Sequence, residues 1–213
     1  MENSDYSKYL KGTTTVGMVC SDGVVMGADM RATMGTYISN SEMRKVYKID
    51  SNLVMTVAGM VGDAQEIIRI LKAQNEIYKM SENRPMSPKS ATSLLSIILQ
   101  SNKMMPYYVQ LLVGGVDGAE PQLYSLDPAG GYTDEVNYTA TGSGTEPAIG
   151  YLEETYKKGI TTKEGVKIVA KALSVAMRRN SATGGGMIIT TITKQGFSEY
   201  TGKDLEKMLA AQK

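Results

Sequence analysis

The side chains available for acid–base or nucleophilic chemistry are bounded first by two absences. The chain has no histidine, and its one cysteine is Cys20. Ser-His-Asp and Cys-His catalysis and every histidine-containing metal motif are therefore excluded, together with an intrachain disulfide and a cysteine metal cluster. A hydrolytic site must take its base from a carboxylate, a lysine or a terminal amine. Lys11-Gly12-Thr13-Thr14-Thr15-Val16-Gly17 places three hydroxyls in succession behind a glycine. By composition alone it is the β-branched start of a strand. Lys45, within Arg44-Lys45-Val46-Tyr47-Lys48, is by the same standard one of many exposed lysines. Thr141-Gly142-Ser143-Gly144 reads as a loop leading to a helix N-cap. The wider GSGTEP run hints at a phosphate cradle, but it has no lysine and that reading is rejected. Cys20 in its apolar strand is inert core, and the 15 methionines are packing material. Glu153-Glu154 is a solvated helix face. Asn137-Tyr138-Thr139 fits a glycosylation sequon, although nothing else suggests secretion.

These residues must be positioned by a scaffold that the hydropathy pattern outlines. Residues 1–12, MENSDYSKYLKG, have no period and few large apolar side chains, and read as a leader outside the core. They are polar and mixed in charge, unlike a secretory signal. From Thr13 onward, TTTVGMVC and VVMGAD form two predicted strands about a tight turn at Ser21-Asp22-Gly23. Shorter strands are predicted at 35–38 and 45–49, and a buried one at 53–58 ends in the corner Gly59-Met60-Val61-Gly62. A helix is predicted from about Asp63 to Lys79, with Ala64, Ile67, Ile68, Leu71 and Ile77 on its inward face. Ser87-Pro88 opens a second helix carrying Leu94, Leu95, Ile98 and Leu99. Strands follow at 108–116, 122–126 and around 132–139. Helices are predicted at 145–157 and 162–179, then strands at 187–193 and 197–200 and a short C-terminal helix. Strands, a helix pair, strands, a helix pair and strands again give an α+β class. The expected architecture is a four-layer αββα sandwich of one domain, residues 13–213.

The 23 basic and 22 acidic side chains leave a formal charge of +1, so nucleic acid and anionic membrane are not expected partners. No apolar run approaches the roughly 18 residues that span a bilayer. An intracellular, cytoplasmic protein is expected.

The motifs resemble, in order, those of proteasome β subunits. The resemblance rests on Gly-Thr-Thr-Thr-Val-Gly at 12–17, GADMRA at 27–32, Lys45, VAGMVGDAQ at 57–65, MPYYVQLLVGG at 105–115, SLDPAGG at 125–131, ATGSG at 140–144, KEGV at 163–166 and MRRNSATGG at 177–185. It covers essentially the whole chain from Thr13 and implies the N-terminal nucleophile hydrolase fold. It also implies a threonine protease made as a precursor, in which residues 1–12 are removed by self-cleavage between Gly12 and Thr13. The nucleophile would be the Thr13 hydroxyl and the base its own freed α-amine, whose reference pKa of about 7.7–8.0 leaves it partly neutral near pH 7. While the leader remains, that nitrogen is an amide and cannot serve.

Other roles follow from the resemblance alone. Lys45 would be the active-site lysine, favouring the alkoxide, with Asp29 pairing and orienting it. Gly59 would supply an oxyanion-stabilising N–H. Ser143 would hold water and proton traffic near the nucleophile. The pattern departs at Arg179-Asn180-Ser181, where the family typically reads Arg-Asp-Ser. Asn180 keeps an accepting oxygen but loses the negative charge, which implies weaker support for activity and self-processing. Thr183 keeps the hydroxyl of a residue that is commonly serine. Ala32, Met43, Tyr47, Val57 and Val61, with Gln65 further off, match the first specificity pocket. None is charged, which implies a chymotrypsin-like preference for cleavage after large apolar residues. Thr33 would hold substrate backbone in an extended pose.

The implied assembly is a homo-oligomer of seven-membered β rings, two of them stacked, between rings of α-type subunits. Unfolded chains would be fed to it by an ATPase regulator, and no metal or organic cofactor is implied. Two rival readings stand beside this one: the bacterial two-ring relative, against which the leader argues, and a non-catalytic β subunit kept for ring assembly, which Asn180 leaves open.

Overall fold

The computed structural model describes residues 12–34, 36–202 and 204–205. In chain order its elements are β1 (Thr14–Cys20), β2 (Gly23–Asp29), β3 (Ala32–Met34), β4 (Tyr37–Asn40), β5 (Val46–Asp50), β6 (Leu53–Gly59), α1 (Val61–Glu82) and α2 (Pro88–Ser101). They continue with β7 (Val109–Asp117), β8 (Glu120–Leu126), β9 (Tyr132–Asp134), β10 (Tyr138–Gly142), α3 (Thr145–Thr155), α4 (Thr162–Arg179), β11 (Met187–Thr193) and β12 (Gly196–Thr201).

The strands form two five-stranded antiparallel sheets, ordered β10-β1-β2-β11-β12 and β5-β6-β7-β8-β9, beside the small β3–β4 hairpin. A core between the sheets draws Val24, Met26 and Ile188 from the first and Val54, Leu112 and Leu123 from the second. On the outer face of the second sheet, α1 and α2 contribute Ile67, Leu71, Leu95 and Leu99 to a separate core. On the outer face of the first, α3 and α4 contribute Leu152, Val169 and Leu173. The layers are therefore helix, sheet, sheet, helix, as expected. Burial on both faces explains why β1, β2, β6 and β7 read as nearly continuous apolar runs.

Local chemistry accounts for most boundaries. Cys20 pairs with Gly23, so β1 and β2 turn on Ser21-Asp22. Ser87 caps α2 by accepting the Ser90 N–H, with Pro88 at the first helical position. Thr161 and Glu164 close a capping box on α4.

Several expectations are corrected. The strand predicted at 35–38 straddles a reversal, since Met34 pairs with Tyr37 across the β3–β4 hairpin. The segment at 132–139 is two strands in different sheets. Its first part ends where the Glu135 N–H donates to Leu123, and Asn137 already accepts from Val19 in the other sheet. Helix α1 begins at Val61, and Ile77 is 57% exposed, not inward. The next inward position after Leu71 is taken by Asn75, fully buried because its amide donates to Asp50 and its oxygen accepts from the Met86 N–H. Residues 204 and 205 are helical, and the rest of the predicted C-terminal helix lies outside the described residues. So does the leader up to residue 11. Among the described residues no helix is long and apolar enough to cross a membrane.

Candidate active site

The predicted site residues come from six elements, at strand ends of both sheets and at the end of α4. Thr13 immediately precedes β1, Asp29 ends β2, Lys45 precedes β5, Gly59 ends β6, Ser143 follows β10, and Asn180 is the C-cap of α4. Thr183 lies in the loop to β11.

At the centre is a buried ion pair. The Lys45 ammonium lies 2.9 Å from Asp29 Oδ1, with the lysine side chain 5% exposed and the aspartate 0%. Burial holds the Lys45 amine below its ordinary pKa, and the adjacent Asp29 carboxylate opposes that fall. A buried carboxylate needs its lone pairs satisfied. Asp29 Oδ1 also accepts the Thr14 N–H, and Oδ2 accepts the N–H groups of Arg31 and Gly184. The strand end, the arginine loop and the Gly184 loop are thus tied to one carboxylate.

The remaining Lys45 donors point at backbone. Nζ donates to the Arg31 carbonyl and, at 3.0 Å, to the carbonyl oxygen of Gly12. Gly12 has φ +122°, and a Cβ there would stand 2.4 Å from Thr33 Oγ1. Only glycine fits this approach. The peptide carbonyl ahead of Thr13 is therefore held by an ammonium beside the threonine that follows it.

On the other side, the Ser143 N–H donates to the Thr13 carbonyl at 2.7 Å. Ser143 Oγ lies 3.3 Å from that carbonyl oxygen and 3.0 Å from Asn180 Oδ1. Asn180 Oδ1 also accepts from the Ala182 N–H and from Thr183 Oγ1, while Nδ2 donates to the Ser143 carbonyl. Thr183 Oγ1 is 2.8 Å from Thr14 Oγ1, so its hydroxyl reaches the second threonine of the run.

A cleft beside Thr13 is lined by Gly12, Ala32, Thr33, Met43, Lys45, Tyr47, Val57, Gly59 and Val61. Gln65 is exposed on α1 and is not part of that lining. Arg44 and Ala64 are, and the pattern did not single them out. In the sequence Ala64 reads only as a core position of α1. The Arg44 charge is turned to Glu199, which it meets with two bonds of 2.7 and 2.8 Å. Thr14 and Arg31 were also missed. Thr14 was legible as a hydroxyl in the run, but the Arg31 contribution is a main-chain carbonyl and leaves no mark in a sequence. Cys20 is buried, its thiol pushed up to about 12 chiefly by that burial, consistent with inert core.

A family model described as "Proteasome subunit" matches residues 9–192. Among curated relatives, "Proteasome subunit beta" of Methanococcus maripaludis (strain C7) is 46% identical over 213 residues, covering 98% of this chain and 96% of that protein. The protein of the same name from Methanosarcina barkeri is 44% identical over 207 residues, 97% of this chain and 98% of its own length. That of Methanocaldococcus vulcanius is 43% identical over 205 residues, 96% of this chain and 92% of its own.

Proposed function

The chain belongs to the proteasome subunit family, and from that premise we propose that it is a threonine endopeptidase of the core particle, activated by cutting its own Gly12–Thr13 bond. The observation that carries this reading is the buried Lys45 ammonium donating to the Gly12 carbonyl oxygen at 3.0 Å. A positive donor on that oxygen withdraws electron density from the carbonyl carbon and stabilises the oxyanion formed when Thr13 Oγ attacks it. The Gly12–Thr13 C–N bond then breaks, the nitrogen takes a proton, and residues 1–12 are left as an ester on the threonine hydroxyl. Water hydrolyses the ester, releasing the leader as a carboxylic acid and leaving Thr13 with a free amine and a free hydroxyl.

In the processed protein that amine is the general base. It takes the hydroxyl proton as Oγ attacks a substrate carbonyl and returns it to the departing amine. Lys45, held by Asp29, keeps positive charge beside the developing alkoxide, and the Gly59 N–H serves the oxyanion. Ser143, Asn180 and Thr183 order the hydroxyls around this centre. The apolar side chains of Ala32, Met43, Val57, Val61 and Ala64 in the cleft lining, where Arg44 is paired with Glu199 and Lys45 with Asp29, support cleavage after large apolar residues, with Thr33 holding substrate main chain.

The assembly proposed is two stacked seven-membered β rings between rings of α-type subunits, in the cytoplasm. An ATPase regulator would supply unfolded chains to the enclosed chamber.

The test is the intact mass of the full chain after co-assembly with its α-type partner, beside Thr13→Ala. Loss of residues 1–12 in the wild type alone, with hydrolysis of peptides ending in a large apolar residue, is expected. A leader retained in both proteins, or peptidase activity surviving Thr13→Ala, would sink the mechanism. Faster cleavage after acidic or basic residues would sink the pocket assignment only.

A further inference from the structure

We infer that position 180 of this chain is built for an uncharged amide, and that Asn180 is a positioning residue directing the hydroxyls around Thr13. The inference rests on the active site proposed above and concerns the residue at which the family pattern is broken. One end of the Asn180 carboxamide meets the Ala182 N–H at 3.0 Å, a group that can only donate. The other end lies 2.8 Å from the Ser143 carbonyl oxygen, which can only accept. These two partners fix the amide orientation without reference to any hydroxyl: oxygen on Ala182, nitrogen on Ser143. An ionised carboxylate satisfies the first and sets oxygen against oxygen at the second. Asn180 is also the C-cap of α4, where the helix dipole disfavours negative charge.

The amide oxygen in turn sets the direction of its neighbours. Oδ1 can only accept, so Thr183 at 3.1 Å donates to it, and so does Ser143 at 3.0 Å in preference to its longer 3.3 Å contact with the Thr13 carbonyl oxygen. With the Thr183 proton spent there, the 2.8 Å contact to Thr14 is donated by Thr14. Ser143, beside the Thr13 carbonyl, thereby directs its proton to Asn180.

The charged groups around this loop are Arg31, which donates to the Ser181 carbonyl, and Asp29, which accepts the Gly184 N–H and holds Lys45. Arg178 and Arg179, in the last turn of α4, add positive charge that favours an anion at the cap. Asn180→Asp therefore weighs these cations against the Ser143 carbonyl and the dipole.

In the full chain co-assembled with its α-type partner, leader removal and peptide kcat are measured for Asn180→Asp and wild type from about pH 5.5 to about pH 9, a window set by a carboxyl that the facing Ser143 carbonyl favours in its protonated form. Dividing variant by wild type at each pH removes the shared titration of the Thr13 amine. The ratio is expected to fall by about tenfold or more with rising pH, because the protonated acid can donate to Ser143 and the carboxylate cannot. KM should change less than kcat. A ratio that is flat or rises with pH overturns the inference. An uncut, inactive wild type sinks the proposed function instead. Should Asn180→Asp fail to assemble, Asn180→Ala decides: kcat is expected at least about tenfold lower at every pH, and a wild-type kcat overturns the inference.

Discussion

The ion pair between Lys45 and Asp29 shows what single residues must supply. Both are buried, and removing one partner of such a pair costs about 3–5 kcal/mol because a charge is left uncompensated. Asp29→Asn is expected to lower stability by that order and to abolish leader removal. The pH dependence has a definite sign. Burial already depresses the Lys45 pKa and Asp29 opposes the depression, so the variant drops it further. Between that depressed value and the ordinary lysine value, the folded state binds fewer protons than the unfolded chain. Stability of the variant therefore rises with pH across the window. Melting temperatures of variant and wild type should differ most near neutrality and converge as pH approaches about 10. A gap independent of pH would mean that Lys45 is not the charge left stranded. Thr13 and Lys45 stand in the sequence as residue types with plain alternative readings, and the family pattern raised them above these and placed Asp29 beside them. The Asn180 donor bond was not legible, since it depends on where the Ser143 main-chain carbonyl points.

Elements were legible where turn and cap chemistry coincided with a change of period, as at Ser21-Asp22, Ser87-Pro88 and Thr161-Glu164. They were misread where one apolar pattern covered two partners. Residues 132–139 look like a single strand because each half packs on a different sheet, and the chain changes sheet between Glu135 and Asn137. Helix α1 misled in the opposite way: the period favoured Ile77, whereas the buried position belongs to Asn75. That amide joins α1 to β5 through Asp50 and to the segment before α2 through the Met86 N–H. Asn75→Ala removes both and leaves partners unsatisfied, a cost of about 1–3 kcal/mol. Ile77→Ser, on the exposed side, should change stability by no more than about 0.5 kcal/mol. Urea unfolding of the unassembled chain ranks the two, and a larger loss at Ile77 would show that the helix buries the face its period suggests.

At the scale of the whole molecule, the proposed site exists because two sheets meet at a set distance. Thr13 and Asp29 lie at the ends of β1 and β2 in the first sheet, and Lys45 and Gly59 at the ends of β5 and β6 in the second. The spacing is set by small residues where the sheets face each other. A Cβ on Gly17 would lie 2.8 Å from Leu123 Cδ1, and one on Gly114 would lie 2.4 Å from Met26 Sδ and 3.1 Å from Val24 Cγ1. Met26 is fully buried. Gly114→Ala therefore overpacks the intersheet core, a change that costs about 1–3 kcal/mol and forces backbone apart. Gly150 provides the contrast. It lies in α3 with open space where a Cβ would go, so Gly150→Ala should stabilise by about 0.5–1 kcal/mol and leave activity alone. Displacements near 1 Å at a reacting centre cost on the order of a hundredfold in rate. Peptidase activity of Gly114→Ala, measured well below its melting temperature, should therefore fall further than its folded fraction. A variant that melts lower but cuts at the wild-type rate would separate stability from geometry. The intersheet glycines would then be needed for folding alone, and alignment of Thr13 with Lys45 would rest on the Asp29 ion pair and its main-chain bonds.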